Sequence, residues 1–359
     1  LIWLFLWLGR GGFWRVSKLQ ESAGMRPALR CRVVAIVPAR DEADVIGEAL
    51  ASLRAQQFDG ELCLLVVDDN SSDGTGDIAR AAGVTVLAGA PLAQGWTGKL
   101  WALQQGAAAA EELGPDFFLL TDADIRHDPY NVAALVGMAQ ARGLDLVSHM
   151  VKLHCGTWAE RFTIPAFVFF FFKLYPPSLI ASQKSKVAGA AGGCVLIRPA
   201  MLRKIGGLAA IRGEVIDDCS LAGAVKRNGG RVWLGLSAGT VSIRPYRGLG
   251  EIGRMISRSA FRQLDHSILL LIGSVLGLTV TYLAPPLLAL RGSYVALAAW
   301  VLMTVCYLPM VRFYGLNPLL ALTLPLTACF YLGSTVHSAI SYWRGRGGVW
   351  KGRAQDLIH

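Results

Sequence analysis

From residue 268 to residue 343 the sequence carries almost no charge, and this stretch limits the possible folds more than any other feature. Residues 268–290 form an uncharged run of 23 residues, interrupted by Pro285-Pro286. Residues 292–311 form a second run and residues 313–343 a third. In lipid every backbone polar group must be satisfied within the protein, so runs of this length are expected to be helices able to cross a hydrocarbon core of about 30 Å. Residues 1–8 are as apolar but too short to span, and residues 1–9 read as the end of a transmembrane helix. Arg10 and Arg15 follow them, favouring exit on the cytoplasmic side. Three full crossings after a cytoplasmic domain would leave residues 344–359 outside. The basic residues Arg344, Arg346, Lys351 and Arg353 of that tail favour the cytoplasm instead. Either one run is re-entrant, with 268–290 and its proline pair the best candidate, or the charge rule fails here.

Hydrophobic residues make up 53% of the chain and charged residues 17%, which excludes a disordered chain and argues against an ordinary soluble enzyme. A net charge of +10 invites a nucleic-acid partner. With so much apolar sequence, basic residues facing anionic lipid head groups and a phosphorylated substrate are the better explanation, and no nucleic acid is expected. Seven cysteines occur with no C-x-x-C pair, which fits a reducing compartment and supplies no zinc or disulfide framework.

Between about residues 30 and 246 the pattern becomes that of an α/β domain. Apolar β-rich runs at 33–37, 62–67, 84–87, 117–120 and 231–236 alternate with helical stretches at 43–57, 76–82, 100–113 and 131–142. This alternation implies βαβ units and a mostly parallel sheet. Two further segments read as membrane-surface helices. Residues 165–174 hold Phe167, Phe169, Phe170, Phe171 and Phe172, too few residues to span. Residues 250–264 place Arg254, Arg258 and Arg262 on one stripe beside Ile252 and Ile256, so 247–266 is expected to lie in the interface plane.

In parallel sheets, ligands bind at the carboxyl ends of strands, so the residues after each strand carry the chemistry. After the first strand comes Pro38-Ala39-Arg40-Asp41-Glu42, and after the second Asp68-Asp69-Asn70, leading to Thr75. After the fourth comes Asp122-Ala123-Asp124. Carboxylates crowded along one edge repel one another unless a cation or a donor-rich ligand offsets them. A hard divalent ion, Mg²⁺ or Mn²⁺, suits such a site, because it takes one or two carboxylates and completes its shell with substrate phosphate oxygens. The two aspartates of Asp122-x-Asp124 can reach one site from an extended strand end.

Residues 94–99, Gln-Gly-Trp-Thr-Gly-Lys, open a helix and can face an anion with backbone N–H groups and Lys99. They are not a P-loop, because Ala93 and Leu100 stand where Gly and Ser or Thr are required. Further on, Glu214, Asp217 and Asp218 precede a helix. Helix capping accounts for one acid there but not three, and a carboxylate near a substrate hydroxyl can serve as general base, the role expected of Asp218. His127, His149, His154 and His266 show no metal-ligand spacing, and Ser71, Ser72 and Ser220 have no histidine partner for a hydrolase triad.

Taken together, residues 37–42, 67–75, 121–124 and 217–221 resemble the family 2 glycosyltransferases, inverting enzymes of the GT-A fold that use nucleotide sugars. Asp217-Asp218-Cys219-Ser220-Leu221 is similar to the family's Glu-Asp-x-x-Leu pattern, with Asp217 in place of Glu. Gly95-Trp96-Thr97-Gly98-Lys99-Leu100-Trp101 and the three late apolar runs look like lipid glycosyltransferases, most of all the hopene-associated enzymes of bacterial hopanoid loci.

The resemblance implies that Pro38, Ala39, Arg40, Glu42 and one of Asp68 or Asp69 hold the base and ribose of the donor. A UDP-sugar is the first expectation. Asp124, helped by Asp122, would carry the metal on the diphosphate, with Lys99 beside it and Asp218 as base. Processive relatives have Gln-x-x-Arg-Trp after the base; Arg258-Ser-Ala-Phe-Arg262-Gln263 has no Trp, which implies single-sugar transfer, with Arg258 or Arg262 near the diphosphate or lipid head groups. The implied acceptor is a membrane lipid, a hopanoid or other isoprenoid, and the implied location a bacterial inner membrane crossed several times, the catalytic domain facing the cytoplasm. A polyprenyl-phosphate acceptor or an inactive membrane scaffold are the alternatives, and a nucleotidyltransferase lacks its Gly-rich loop here.

Overall fold

The run expected as the first strand becomes the middle of a sheet, and its residues 33–37 are buried on both faces. A strand without a polar face has to be covered on both sides, and helices on the crossovers do so. This computed structural model describes residues 1–16, 20, 30–345, 349–350 and 353–354, so most of the basic tail expected at 344–359 lies outside the described residues. The chain divides into an α/β unit, Leu19–Leu153 with Leu179–Arg244, and a helical unit, Leu1–Lys18 with His154–Ser178 and Pro245–His359.

The strands of the α/β unit are β1 (Arg32–Ala39), β2 (Glu61–Asp68), β3 (Thr85–Ala88), β4 (Phe117–Thr121), β5 (Ile125–Arg126), β6 (Leu146–Lys152), β7 (Cys194–Ile197) and β8 (Val232–Ser242). They form one sheet in the order β3-β2-β1-β4-β7-β6-β8-β5. Pairings β1–β2, β2–β3, β1–β4 and β6–β8 are parallel, so the mostly parallel sheet expected from the sequence is the one that forms. β7 runs antiparallel between β4 and β6, with Cys194 opposite Thr121. The amino end of β7 therefore meets the carboxyl end of β4. β6 and β7 carried no pattern in the sequence: β6 buries Ser148 and His149 inside its run, and β7 is only four residues long.

Helices Ala43–Arg54, Thr75–Ala81 and Gly98–Glu111 link the strands of this parallel half. The last packs against the sheet through Gly106, where an added Cβ would lie 2.5 Å from Ile36 and 2.9 Å from Val67. Only glycine lets the helix sit that close.

In the helical unit, the phenylalanine run belongs to a longer helix, Trp158–Leu174, started by a capping box between Thr157 and Glu160. Phe169 and Phe172 are buried; Phe169 meets Tyr307 edge-on at 5.2 Å, and Phe170 meets Tyr331 at 5.0 Å. This corrects the surface-helix expectation. At 3.6 residues per turn, five phenylalanines in six positions face most of the way round the helix, so packing against other helices takes up part of them.

Among the described residues four helical stretches are long and apolar enough to cross a membrane: Trp158–Ala181, Ile268–Ala289, Tyr294–Phe313 and Pro318–Trp343. The first is ruled out as a single crossing by the sheet itself. β6 precedes it, β7 follows it, and the two strands pair with each other, so both ends must return to the same side. Helix Leu249–Ala260, expected in the interface plane, buries Ile252 and Ile256. It bonds to Leu324–Trp343 through Ser257 Oγ to the Ser334 carbonyl at 3.0 Å, while Arg254 and Arg258 stay exposed. Its apolar edge is thus met by protein.

The proline pair has a local solution. Pro285 has no N–H to offer the carbonyl of residue 281, four positions earlier. The indole N–H of Trp3 donates to that Thr281 carbonyl at 2.8 Å, and the Trp3 ring packs edge-on to Tyr282 at 5.5 Å. An unpaired carbonyl in an apolar setting is costly, so Trp3→Phe, which keeps the ring and loses the donor, is expected to destabilise the helical unit by about 1–3 kcal/mol. A lowered thermal midpoint in detergent would show it, and an unchanged midpoint would refute it.

Candidate active site

The three acidic segments come together because the parallel strands that carry them end on one edge. After β1, Arg40 donates to the Asp69 carbonyl at 2.6 Å and lies 3.7 Å from its buried carboxylate. Asp41, with a φ of +50°, donates its N–H to Ser71 Oγ and accepts from Ser72 N–H at 2.9 Å. Glu42 N–H donates to Thr75 Oγ at 2.8 Å, and Ala43 N–H to Asp73 at 2.9 Å. Burial works against the charge on Asp73, but bonds from Thr75 and Ala43 hold its carboxyl below the usual range. Asp68 accepts from Ser71 N–H at 3.0 Å. The 38–42 and 68–75 segments are therefore one interlocked loop pair, and several of the acids expected to face a nucleotide also hold this pair together.

Lys99 sits in the first turn of helix Gly98–Glu111. Its ammonium lies 2.7 Å from Asp122 and 3.4 Å from Asp217. The expectation was a lysine facing an anionic ligand; in the structure carboxylates surround it. Burial would strip its charge, but Asp122, Asp217 and Asp218 more than offset this and raise its pKa above the ordinary value. Asp217 and Asp218 stand in the first turn of helix Asp217–Arg227, where the helix dipole favours negative charge. Asp218 accepts from Gly192 N–H and from Cys219 N–H, each at 2.7 Å. Burial, and then the charge of Asp217, push its carboxyl up to about 6.

Asp124 accepts from Ser242 Oγ at 2.9 Å and lies 3.6 Å from Arg244, which also pairs with Glu42. Burial, and then Asp122, raise Asp124 to about 6. Neither Ser242 nor Arg244 was legible in the sequence, because β8 reaches this edge only through the sheet order. Gly192 was also missed, though three small residues in a row before a strand, Ala191-Gly192-Gly193, are a turn signal. An added Cβ on Gly192 would lie 3.1 Å from the Lys99 ammonium and 3.3 Å from Asp218. A small cavity of about 20 Å³ opens here, lined by Pro38, Lys99, Asp122, Gly192, Asp217 and Asp218, with leucines behind them. Arg258 and Arg262 belong to the helical unit, whereas the other expected site residues all belong to the α/β unit.

Among the described residues no three His, Cys, Asp or Glu side chains form a ready metal cage. Asp122 and Asp124 still suit a hard divalent ion. They offer only oxygen, they crowd each other enough to raise Asp124, and such ions take one or two carboxylates plus phosphate oxygens. His127 and His149, which show no metal-ligand spacing in the sequence, are buried core residues.

Comparisons with known proteins agree with this architecture. Residues 34–206 match the family model described as Glycosyl transferase family 2. The Uncharacterized protein MJ1222 of Methanocaldococcus jannaschii is 33% identical over 114 residues, 32% of this chain and 44% of that protein. The chain thus matches less than half the length of that relative. Among solved structures, the mannosyltransferase PcManGT of Pyrobaculum calidifontis, in complex with GDP-Man and Mn²⁺, is similar at a TM-score of 0.56 and 18% identity. That likeness, one of fold, covers 94% of this chain and 97% of the other.

The raised carboxyl of Asp218 has a consequence for stability. A folded-state value of about 6, above the ordinary 3.8, means the folded chain binds this proton more tightly than the unfolded one. Stability from this group is therefore full below the ordinary value and lost as pH rises through the folded one. Asp218→Asn should stabilise the protein on the order of 1–3 kcal/mol at about pH 7.5, and hardly at all near pH 4. Denaturant titrations in detergent at the two pH values would measure the difference; equal effects at both would contradict it.

Proposed function

We propose that this chain, which carries a family 2 glycosyltransferase domain of the GT-A fold, transfers a single sugar from a nucleotide-sugar donor to a membrane lipid and inverts the anomeric centre. The observation that carries the reading is Asp218. It is a carboxylate raised to about 6, aimed by two backbone N–H groups and joined to Asp122 through Asp217 and Lys99. A base with a pKa just below the working pH is mostly ionised and still accepts a proton effectively.

Pro38, Ala39, Arg40, Glu42 and Asp68 or Asp69 would hold the nucleoside, at the interlocked loops after β1 and β2. Asp122 and Asp124 would hold a Mg²⁺ or Mn²⁺ ion, which when bound neutralises charge on the diphosphate. Asp218 takes the proton of the acceptor hydroxyl as that oxygen bonds to the anomeric carbon. The bond from that carbon to the diphosphate oxygen breaks, and the nucleoside diphosphate leaves with the electron pair. Lys99 is close enough to the same edge to offset the growing charge. Movement of Lys99 toward the diphosphate would free Asp122 to hold the ion with Asp124.

Support for a nucleotide sugar with a divalent ion comes from the family match and from the fold shared with a mannosyltransferase that holds GDP-Man and Mn²⁺. The donor base stays open between UDP, which the resemblance favours, and GDP. A lipid acceptor is supported by the three C-terminal helices able to cross a membrane. A hopanoid or other isoprenoid lipid rests on the residues 95–101 and on that helical region together. A bacterial inner membrane, with the domain on the cytoplasmic side, accords with Arg10 and Arg15 after the first helix.

Purified protein in detergent should release nucleoside diphosphate from one of a panel of UDP- and GDP-sugars when Mn²⁺ or Mg²⁺ and bacterial lipid extract are present. Asp218→Asn should lower that turnover about 10²–10⁴-fold and leave nucleotide binding nearly intact. Asp124→Ala should abolish the metal dependence of nucleotide binding in calorimetry. Turnover that survives Asp218→Asn would remove it as the base.

A further inference from the structure

The donor that aims Asp218 is the N–H of Gly192, and the turn that contains it is built with unusual care. Cys194 N–H donates to the Ala191 carbonyl at 3.2 Å, closing a four-residue turn with Gly192 and Gly193 at its centre. Two buried hydroxyls pin it. Ser148 Oγ accepts from Ala191 N–H at 2.9 Å, and Thr121 Oγ donates to the Gly193 carbonyl at 2.8 Å.

Thr121 opens a chain of side chains that the transfer chemistry does not use. Its one proton goes to Gly193, so it can only accept from His127 Nε2, 3.0 Å away. His127 Nδ1 then accepts from Asn131 Nδ2 at 2.9 Å, and Asn131 Oδ1 accepts from His149 Nδ1 at 2.8 Å. All four residues are buried. Burial lowers His127 to about 3 and His149 to about 4, so both rings are neutral. Every bond then points the same way, from His149 toward Gly193. A core made only for stability has no need of this arrangement, since replacing both partners of a buried hydrogen bond with apolar groups of the same shape is nearly neutral. What apolar groups cannot do is hold the Gly193 carbonyl in one direction and, through the Cys194 N–H in its peptide plane and the Ala191 carbonyl which that N–H meets, the Gly192 N–H.

We propose that His149, Asn131, His127 and Thr121 form a positioning device for Asp218, acting through the Gly192–Gly193 turn. The inference rests on Asp218 being the base. In this scheme the four residues set the orientation of the group that acts on the acceptor, and Thr121, which also lines the site cavity, acts through the turn.

Thr121→Val removes the hydroxyl and keeps the shape, and Thr121→Ser restores the hydroxyl. Full-length protein in detergent is compared by amide hydrogen exchange with mass spectrometry, which needs no substrate. Exchange of the peptide containing Gly192 should quicken about tenfold in Thr121→Val, with peptides of β1 unchanged, and return to the wild-type rate in Thr121→Ser. Turnover of the UDP- or GDP-sugar active with bacterial lipid extract should fall about tenfold or more in Thr121→Val at unchanged donor KM, and recover in Thr121→Ser. His127→Phe, which breaks the chain one link earlier, should behave as Thr121→Val and serves in its place if that variant does not fold. Wild-type exchange at Gly192 in these variants, or wild-type turnover, overturns the positioning role. Asp218→Asn keeps the two ideas apart. An active Asp218→Asn overturns the base assignment. An inactive one beside a fully active Thr121→Val overturns the positioning role alone.

Discussion

Lys99 stands among three aspartates that reach it from two distant parts of the chain, and the chemistry at this edge of the sheet depends on that one charge. Asp122 arrives at the end of β4, and Asp217 and Asp218 at the start of a helix almost a hundred residues later. Without a cation, like charges at such separations in a partly buried setting would neutralise by taking up protons. With Lys99 on Asp122, and Arg244 on Asp124, the acids can stay close together and largely ionised. The compensation is incomplete. Asp124 and Asp218 are both left near 6, and this residue of strain makes one a candidate ligand for a divalent ion and the other a candidate base.

Backbone geometry does the rest of the work in this unit. β7 enters the sheet against the direction of its neighbours, which brings its amino end to the edge where β4 finishes. A turn with no side chains at its centre therefore faces Asp218, where an added Cβ on Gly192 would crowd both Lys99 and the carboxylate. The loops after β1 and β2 are stitched to each other by side-chain to backbone bonds, so a nucleotide would meet a preformed surface. Preformed sites lose less order on binding.

The helical unit answers a different constraint, that backbone polar groups away from water need partners. Thr281, left without its donor by Pro285, takes one from Trp3 in a helix far away in sequence. Glu160, fully buried, accepts from the backbone N–H groups of Gly156, Thr157 and Tyr246 at 2.6–2.8 Å and so ties the two places where the chain enters this unit. Apolar length alone would let Trp158–Ala181 cross a membrane; the pairing of the strands on either side of it forbids a single crossing.

Much of this was legible in the residues themselves. Buried parallel strands are continuous apolar runs, so β1, β2, β3, β4 and β8 and the helices between them could be read directly, and acids placed just after such runs had to share an edge. The three late apolar runs declared themselves by length. Periodicity is a local signal, however, and it fails where a strand is short or buries polar groups, as β7 and β6 do. It also could not show that the phenylalanine run continues a helix begun at Trp158 and packed against its neighbours. Residue types and strand ends were therefore determined by the sequence alone. Which carboxylate meets Lys99, which one Gly192 holds, and what Arg244 and the two buried histidines touch were decided only by the order of strands in the sheet, because those contacts join residues that no sequence period relates.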